Sequence, residues 1–483
     1  MMSLMDAASS LNATVVGDAH CVSKDFDPPI STPTIFTSVS TDSRRFERGA
    51  LFIALRGERF DGHEFVAAVA RDGAAAVMVD RRWAMVDRQW SNENPPLPLL
   101  VVEDTRVSLG SLAAAWRARF EIPLIAVVGS NGKTTVKEMI AAILREHFGA
   151  ASVLATEGNF NNDIGVPLTL LRLRQTHRAA VVEIGMNHPG ETAILASMAR
   201  PSIALVNNAQ REHQEFMKSV AEVAREHAAI VDSLPRDGVA VINADDEHAD
   251  IWRDACARAG ATVCDFGLNS GAAVHARHQL GQFASRIEVC GPVGSFDFEL
   301  SMPGLHNIRN ALAAIAASLA AGASLESAAR ALQAFRAVKG RMQRTSSLAG
   351  AVLIDDTYNA NPESVHAAIE VLAACDEPRV LVLGDMGEVG EQGPAFHAEV
   401  GDHARRAGLT GLYTLGDLAS HAVDAFGAGT HADSFDQLMI ALRPYDRTGA
   451  TLLVKGSRFM QMERVIDALV LAPTTRITET GVH

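Results

Sequence analysis

Residues 124–144 read LIAVVGSNGKTTVKEMIAAIL, and this stretch decides the fold. Its first five residues, Leu124–Val128, are all apolar, which predicts a strand buried on both faces. From about Thr134 to Phe148, apolar residues recur at helical spacing, which predicts an amphipathic helix. A buried strand, a glycine loop and a helix in this order predict a phosphate-binding loop, because N–H groups at a helix N-terminus hold anions.

The loop between that strand and that helix carries the chemistry of a nucleotide site. Lys133 can neutralise charge on the β- and γ-phosphates, and a threonine hydroxyl can bind Mg²⁺. The general motif would place its first glycine at Val127, so this loop is a shortened version; a chance glycine turn before a helix is the alternative. We expect nucleotide phosphates and Mg²⁺ to contact Gly129, Ser130, Asn131, Gly132, Lys133, Thr134 and Thr135.

The alternation of apolar strands and helices continues on both sides of the loop. Strands that are apolar on both faces and separated by helices predict parallel sheets covered by helices. Predicted strands lie at 51–55, 74–79, 124–128, 179–182, 203–206, 239–242, 352–354, 380–383, 412–415 and 452–454. We expect an α/β fold of three domains, formed by residues 1–121, 122–339 and 340–483.

The composition excludes several classes of protein. The 483 residues include 43 Lys and Arg against 57 Asp and Glu, and this formal charge of −14 disfavours a general nucleic-acid binder. The longest uncharged apolar stretch, 311–325, is shorter than the ~20 residues of a membrane span. The five cysteines form no C-x-x-C pair, which is typical of reduced thiols. We expect a cytoplasmic protein with neither a nucleic-acid partner nor a membrane span.

Two residues are candidate metal ligands. Glu183 ends a predicted strand, and a carboxylate in that place beside a phosphate loop commonly meets Mg²⁺. A solvated strand terminus is the alternative. His213 follows the strand that ends near Val206, but Mg²⁺ prefers oxygen ligands, so a surface or capping histidine is the alternative there.

Two polar segments have a functional and a structural interpretation. Asn159–Asp163 is dense in amides, which favours either a polar substrate loop or a capped loop before the helix at Pro167. Thr41–Arg44 could bind an anion or form an ordinary turn. The residues alone leave both alternatives open.

The junction of the second and third domains holds a further pair of candidates. Arg341 could pair with phosphate oxygens, because its guanidinium fork matches their geometry. Asp355–Pro362 follows a predicted strand, and one of its carboxylates could hold a ribose hydroxyl. A helix cap at Asn361 or Ser364 is the alternative for this segment.

Together these segments resemble the Mur ligase family. Gly129–Thr135 matches the family's short loop G-x-N-G-K-T-[ST], which accounts for the missing glycine. Asn243–Asp246 and His306–Asn310 match its N-x-D-D and H-N-x-x-N patterns. Thr156–Pro167 and Asp355–Pro362 resemble the branch that adds D-Ala-D-Ala, and the D-N-P-R segment of ligases that add meso-diaminopimelate is absent.

The resemblance implies an N-terminal UDP-substrate domain, a central phosphate-loop ATPase domain with a parallel sheet, and a C-terminal Rossmann-like domain. It implies ATP-dependent joining of D-Ala-D-Ala to UDP-MurNAc-tripeptide through an acyl phosphate. The implied catalytic residues are Lys133, Glu183, His213 and Arg341, and the implied metal ligands are Thr134, Glu183 and His213. Asn243 and Asn307 would face adenine, Asp356 would hold the ribose, and the substrates would meet Ser43, Arg44, Asn161, Asn162, Asn359 and Asn361.

One position departs from the family pattern. Relatives carry a lysine, carbamylated as a metal ligand, shortly after the motif histidine, but residues 223–227 contain no lysine. We therefore expect the second metal site to be completed differently, with His227 as the candidate. The alternatives for the function are a sister amide ligase, such as a diamino-acid-adding Mur ligase or a folylpolyglutamate synthase, and a nucleotide switch that forms no amide. We expect a monomer.

Overall fold

The structure is a computed structural model that describes residues 1–16, 34–86, 97–212, 214–292 and 294–471. Three main sheets, each built from a consecutive part of the chain, are largely parallel and are covered by helices. This arrangement confirms the predicted α/β class. The sheets draw on residues 14–102, 124–300 and 343–455, while the domain boundaries near 121 and 339 stay a prediction.

The N-terminal sheet has five strands, in the order Thr14–Val16, Leu99–Val102, Ala76–Asp80, Leu51–Ile53 and Val39–Ser40. The first pair is antiparallel and the others are parallel. A short antiparallel pair joins Met2–Ser3 to Ile35–Phe36. The helices of this part are Leu4–Leu11, Val66–Arg71, Arg81–Val86 and Thr105–Arg117.

The central sheet has nine strands and carries the phosphate loop. Their order is Gly294–Leu300, Ser285–Gly291, Val274–Leu280, Thr262–Gly267, Val239–Asn243, Ile203–Val206, Leu124–Val128, Ala179–Glu183 and Val153–Ala155. The first three are antiparallel to one another and the rest are parallel. The helices are Lys133–Phe148, Gly165–Leu170, Glu191–Ala199, Val220–Ala228, Ala249–Ala259, Leu305–Ala320 and Leu325–Ala334.

The C-terminal sheet has six strands, in the order Gln343–Ser346, Val352–Asp356, Thr451–Lys455, Arg379–Gly384, Gly411–Leu415 and Thr430–Ala432. The first pair is antiparallel and the others are parallel. Its helices are Pro362–Ala373, Gly393–Arg406, Ser420–Phe426, Phe435–Leu442 and Glu463–Val470. Short 3₁₀ turns across the chain are Gly62–Phe65, Ala150–Ser152, Val231–Ser233, Gly390–Gln392, Arg443–Tyr445 and Arg458–Met460.

The predicted strands lie within two residues of the observed ones at each end. The sequence pattern did not reveal the antiparallel extension at 274–300. Ser285–Gly291 and the end of Gly294–Leu300 alternate buried and exposed residues, because helices do not cover both faces of these strands. A search for wholly apolar runs therefore passes over them.

The strand before the phosphate loop lies between two hydrophobic cores. Ile125 and Val127 point into a core that continues into the C-terminal domain. Leu124, Ala126 and Val128 point into a second core that continues into the N-terminal domain. All five side chains are buried, so the strand holds the loop at a fixed place between the domains. Among the described residues, the helices are all too short or too polar to cross a bilayer.

Candidate active site

A cavity of about 1590 Å³ opens where the carboxyl ends of the central strands face the C-terminal domain. Ligands of open α/β sheets usually bind at this edge, because the loops there are free to vary. The phosphate loop forms its floor, and the helix Thr105–Arg117 of the N-terminal part contributes to one wall.

At two positions of the phosphate loop, the backbone conformation favours glycine. Gly129 has φ of +145° and Gly132 has φ of +81°, a region that side chains disfavour. A Cβ at Gly132 would lie 2.5 Å from the Oδ1 atom of Asn310, so the space is closed as well. The Asn131 N–H donates to the side-chain oxygen of Asn208 at 2.8 Å, which fixes the loop to the neighbouring strand end.

Lys133 begins the helix that follows the loop, and its ammonium group turns back onto the loop. It donates to the carbonyl oxygens of Gly129 and Ser130, the latter at 3.2 Å. It also lies 3.4 Å from the Glu212 carboxylate. The ammonium therefore stands at the loop that would hold phosphate.

Thr134 and Glu183 form the second polar pair of the site. The Thr134 hydroxyl donates to the Glu183 Oε2 atom at 2.8 Å, and the Asn161 amide donates to the Oε1 atom at 2.8 Å. The Glu183 backbone N–H donates to the Thr156 hydroxyl at 3.0 Å. Arg341, from the C-terminal side, donates to the Thr134 hydroxyl at 2.8 Å. One hydroxyl thus connects the metal-ligand candidates to the interdomain arginine.

The amide-rich loop is capped as predicted, and its interpretation as a substrate loop stays a prediction. Asn162 caps the loop, because its side-chain oxygen accepts the N–H of Gly165 at 2.9 Å. Asn161 instead faces Glu183 in the cavity. The same loop also contacts the N-terminal part, since Arg106 pairs with Asp163 at 2.7 Å.

The C-terminal domain reaches the loop through a reciprocal pair of amides. Asn131 and Asn361 exchange side-chain hydrogen bonds of 3.1 and 3.0 Å. Asn361 also caps the helix Pro362–Ala373 in a capping box with Ser364, so the structural interpretation of this residue is confirmed. The Arg341 guanidinium lies 4.0 Å from the centre of the Tyr358 ring, which holds it beside the loop.

A buried ion pair organises the wall that carries the ribose candidate. Asp356 accepts a hydrogen bond from Lys455 on the neighbouring strand and one of 3.2 Å from the Met342 N–H. Lys455 also donates to the Asn359 carbonyl at 2.9 Å. Both charged side chains are nearly inaccessible, so the pair fixes the strand end and the loop after it.

Arg211 forms a polar contact between the central and C-terminal domains. It donates two hydrogen bonds of 2.9 Å to Glu399 and one to Glu363, and its guanidinium lies 4.8 Å from the centre of the Phe396 ring. The hydrogen bond with Glu399 raises the pKa of Arg211 and lowers the pKa of Glu399. The domains are therefore held against one another beside the phosphate loop.

The adenine candidates line the opposite part of the cavity. The Asn243 amide donates to the Asn207 carbonyl at 2.9 Å, and the Asn307 amide donates to the Pro303 carbonyl at 2.7 Å. Both side chains are buried and fixed by the backbone. Beside them, burial together with the positive charges of Lys455 and Arg309 lowers the pKa of His306 to about 4, so its ring is neutral at neutral pH.

The structure gathers most of the predicted site residues around this cavity. Besides the loop itself, the cavity is lined by Asn161, Asn162, Glu183, Asn243, Asn307, Arg341, Asp356, Asn359 and Asn361. Ser43 and Arg44 do not line it: the exposed Arg44 pairs with Asp42 at 2.9 Å. This pairing lowers the pKa of Asp42 to about 2. His213 lies outside the described residues.

Sequence reasoning missed four polar residues at the site: Arg211, Glu212, His306 as an uncharged wall residue, and Lys455. Lys455 comes directly after a predicted apolar strand and heads the segment Lys455–Arg458. This position could have identified Lys455 as a site residue, because polar residues at the carboxyl end of a strand commonly face the ligand. Arg211 and Glu212 carried no such signal.

The donors around Thr134 fit a magnesium ion. Mg²⁺ is usually held by one or two carboxylates together with substrate phosphates and waters. Glu183 and the Thr134 hydroxyl supply such a partial set at the phosphate loop. Across the residues that the structure describes, no cluster of three or more His, Cys, Asp or Glu side chains forms a complete cage, so phosphate oxygens and waters would supply the remaining ligands.

Comparison with known proteins supports the resemblance to the Mur ligase family. The family models described as Mur ligase family catalytic domain, Mur ligase middle domain, and Mur ligase glutamate ligase domain match residues 35–117, 127–318 and 340–458. The chain is 40% identical to the UDP-N-acetylmuramoyl-tripeptide–D-alanyl-D-alanine ligase of Escherichia coli strain K12, over 89% of this chain and 93% of that protein.

Two of the solved structures that resemble this chain cover nine-tenths of it or more. A crystal structure of MurF from Acinetobacter baumannii is 32% identical and superimposes with a TM-score of 0.85 over 97% of this chain and 98% of that one. MurF from Thermotoga maritima in complex with ADP is 25% identical, with a TM-score of 0.77 over 90% of this chain and 97% of that one. The phosphate loop, the three-domain architecture and the extent of these matches agree, and the chain belongs to the Mur ligase family.

Proposed function

We propose that this chain is the ATP-dependent ligase that joins D-Ala-D-Ala to UDP-MurNAc-tripeptide in peptidoglycan precursor synthesis. One observation carries the proposal: Thr134 connects Glu183 and Arg341 within a cavity that two amide-rich segments, Asn159–Asp163 and Asn359–Asn361, also line. The relatives that share this architecture over nine-tenths of their length carry the same activity in their names. The chain is therefore an enzyme and uses ATP.

The reaction proceeds in two balanced steps. The tripeptide's terminal carboxylate attacks the γ-phosphorus of ATP, so that an O–P bond forms, the bond to the β-phosphate oxygen breaks, and ADP leaves. The amine of D-Ala-D-Ala then attacks the acyl carbon of the resulting acyl phosphate. A C–N bond forms, the C–O bond to phosphate breaks, and the amine gives up a proton.

The residues of this chain act on charge and position. A carboxylate and a triphosphate repel each other, so cations must neutralise both before in-line attack. Lys133, which contacts the phosphate loop, would meet the β- and γ-phosphates, and Arg341 would approach them from the other domain. Thr134 and Glu183 would hold Mg²⁺, which when bound spreads the negative charge of the phosphate oxygens.

The nucleoside and the substrates take the rest of the cavity. Asn243 and Asn307 would face adenine, and Asp356, held by Lys455, would accept a ribose hydroxyl. Asn161 and Asn359 lie on the walls where the sugar-peptide and the dipeptide would meet. We further propose that the enzyme acts in the cytoplasm as a monomer on small-molecule substrates.

Phosphate release against a panel of substrates tests the proposal. We expect release with UDP-MurNAc-tripeptide plus D-Ala-D-Ala, and far slower release with D-Ala, L-Lys or meso-diaminopimelate alone. A site that bonds a dipeptide's internal amide and carboxylate rejects a single amino acid, because its polar groups stay unpaired. A folate acceptor should give none.

The two alternatives predict different results in the same assay. Comparable rates with a free diamino acid and UDP-MurNAc-dipeptide would assign the chain to a sister ligase. Nucleotide turnover that does not depend on any acceptor would favour a nucleotide switch. The wall formed by the C-terminal domain favours the ligase, because a switch has no use for an acceptor site.

A further inference from the structure

Three polar side chains form a line that ends at the phosphate loop: Lys133, Glu212 and His227. The Lys133 ammonium lies 3.4 Å from one Glu212 oxygen, and the His227 Nε2 atom lies 3.2 Å from the other. The Glu212 and His227 side chains are 7% and 1% exposed, and that of Lys133 is 16% exposed. The predicted role of His227 as a substitute metal ligand does not account for Lys133 at the end of this line.

His227 stands on a firmly packed element. Its helix, Val220–Ala228, begins at Ser219, whose side chain accepts the Glu222 N–H. The Trp252 indole N–H donates to the Ala224 carbonyl at 3.0 Å, which ties that helix to the next one. The buried imidazole therefore has little freedom to move. It contacts the Glu212 oxygen that faces away from Lys133, and so restricts the carboxylate; we call this contact the brace.

Phosphate and Glu212 compete for the same ammonium group. A buried carboxylate is stabilised by a nearby cation, so Glu212 attracts the Lys133 ammonium to the place where it lies. An incoming phosphate must draw Lys133 away from Glu212 and must also stand near that negative charge. The free energy of breaking the Lys133–Glu212 pair is therefore subtracted from nucleotide binding.

We propose that Glu212, braced by His227, is a positioning residue that retains the Lys133 ammonium on the loop until phosphate displaces it, and so sets the nucleotide affinity of the free enzyme. This inference rests on the nucleotide site of the proposed function and not on the identity of the acceptor.

Calorimetric titration with ADP in the presence of a chelator tests the inference without any divalent cation. Glu212→Gln removes the competing charge and keeps the shape, so ADP should bind on the order of 10-fold more tightly than to the unchanged protein. His227→Leu removes the brace and leaves Glu212 more dependent on Lys133, so ADP should bind several-fold more weakly.

The double variant separates an effect through Glu212 from general damage. If His227 acts through Glu212, Glu212→Gln/His227→Leu should bind ADP as Glu212→Gln alone does. Glu215→Gln removes the same charge from an exposed position nearby and should leave the affinity unchanged. Melting curves without ADP show whether each variant is folded, and His227→Gln replaces His227→Leu if the latter is not.

Two results would overturn the inference. Glu212→Gln that binds ADP no more tightly than the unchanged protein would show that Glu212 does not compete with phosphate. Single variants that both weaken binding would show a purely structural role. If the unchanged protein binds ADP but forms no amide, the proposed ligase function fails while this inference stands.

Discussion

Arg211 joins the central and C-terminal domains, and its contribution to the closed arrangement can be measured with a double-variant cycle. Its guanidinium bonds Glu399 through two hydrogen bonds of 2.9 Å and contacts Glu363 and the Phe396 ring. The side chain of Arg211 is 22% exposed and that of Glu399 is 38% exposed, so water screens the pair in part.

The magnitude follows from this geometry. Two unit charges 4 Å apart near a protein surface attract by about 4 kcal/mol, which is an upper bound. The cost of ordering the side chains and the screening by water at the exposed Glu399 lower this attraction. The bidentate geometry preserves more of it than an ordinary surface ion pair does. We expect a coupling of about 1–2 kcal/mol between Arg211 and Glu399, or roughly a factor of 5–30 in kcat/KM for ATP.

The assay compares phosphate release by Arg211→Ala, Glu399→Gln and the double variant with that of the unchanged protein. Each single variant should lower kcat/KM, and the double variant should lose less than the product of the two losses. Glu370→Gln is the matched control, because Glu370 pairs with His403 at 2.8 Å within the C-terminal domain. Purely multiplicative losses would refute a role for this pair in domain docking.

Four further predictions concern the nucleotide site and the fold. Lys133→Ala should reduce turnover by on the order of 10²-fold or more while the circular dichroism spectrum stays that of a folded protein, because it removes a charge placed at the transferring phosphoryl group; near-normal turnover would exclude the phosphate-loop assignment. Arg341→Ala should lower turnover more than it weakens ADP binding, because Arg341 belongs to the docked C-terminal domain; equal losses would indicate a static pocket residue. The lowered pKa of His306, about 4 against an ordinary value of 6.5, means that the unfolded chain binds more protons between these values. The stability that depends on its neutral ring is therefore present above pH 6.5 and is lost as the pH falls towards 4. In denaturant titrations over this range, the free energy of unfolding of His306→Gln should fall by about 1–3 kcal/mol less than that of the unchanged protein. An equal dependence of the unfolding free energy on pH in both proteins would contradict this prediction. Depletion of carbon dioxide should leave phosphate release unchanged, because residues 223–227 contain no lysine to carbamylate; a loss restored by bicarbonate would point to another lysine, such as Lys218.

The parts of the fold that the sequence predicts are those with a local cause. The strand Leu124–Val128 and the start of the helix at Lys133 follow from apolar runs and glycines within twenty residues of each other, and they lie where predicted. The antiparallel strands at 274–300 have one exposed face, so their pattern is weaker and was not recognised. Contacts between domains depend on how separate folding units meet, which no local pattern encodes.

The site shows the same division between local and distant causes. The prediction for Glu183 rested on its place at a strand end, and the structure does bring it to Thr134. The carboxylate near Lys133, by contrast, belongs to Glu212, which lies 79 residues further along the chain, next to His213. No local pattern predicts that Lys133 and Glu212 meet. The interpretation of Ser43 and Arg44 as substrate contacts stays a prediction: Arg44 pairs with Asp42 within the same turn, and neither Ser43 nor Arg44 lines the cavity.

Asn361 shows why a structural and a functional interpretation of one residue need not exclude each other. Its side-chain oxygen accepts the Ser364 N–H at 2.9 Å, as a helix cap does, and also accepts from Asn131 at 3.1 Å. Its amide nitrogen still donates to Asn131 at 3.0 Å, so one side chain both begins a helix of the C-terminal domain and fastens that helix to the phosphate loop. An aspartate would cap the helix equally well but could not donate. The requirement for asparagine at position 361 therefore comes from the contact between the two domains. Arg341 meets Thr134 at the same contact, so the residues that fasten the C-terminal domain also bring its arginine to the phosphate loop.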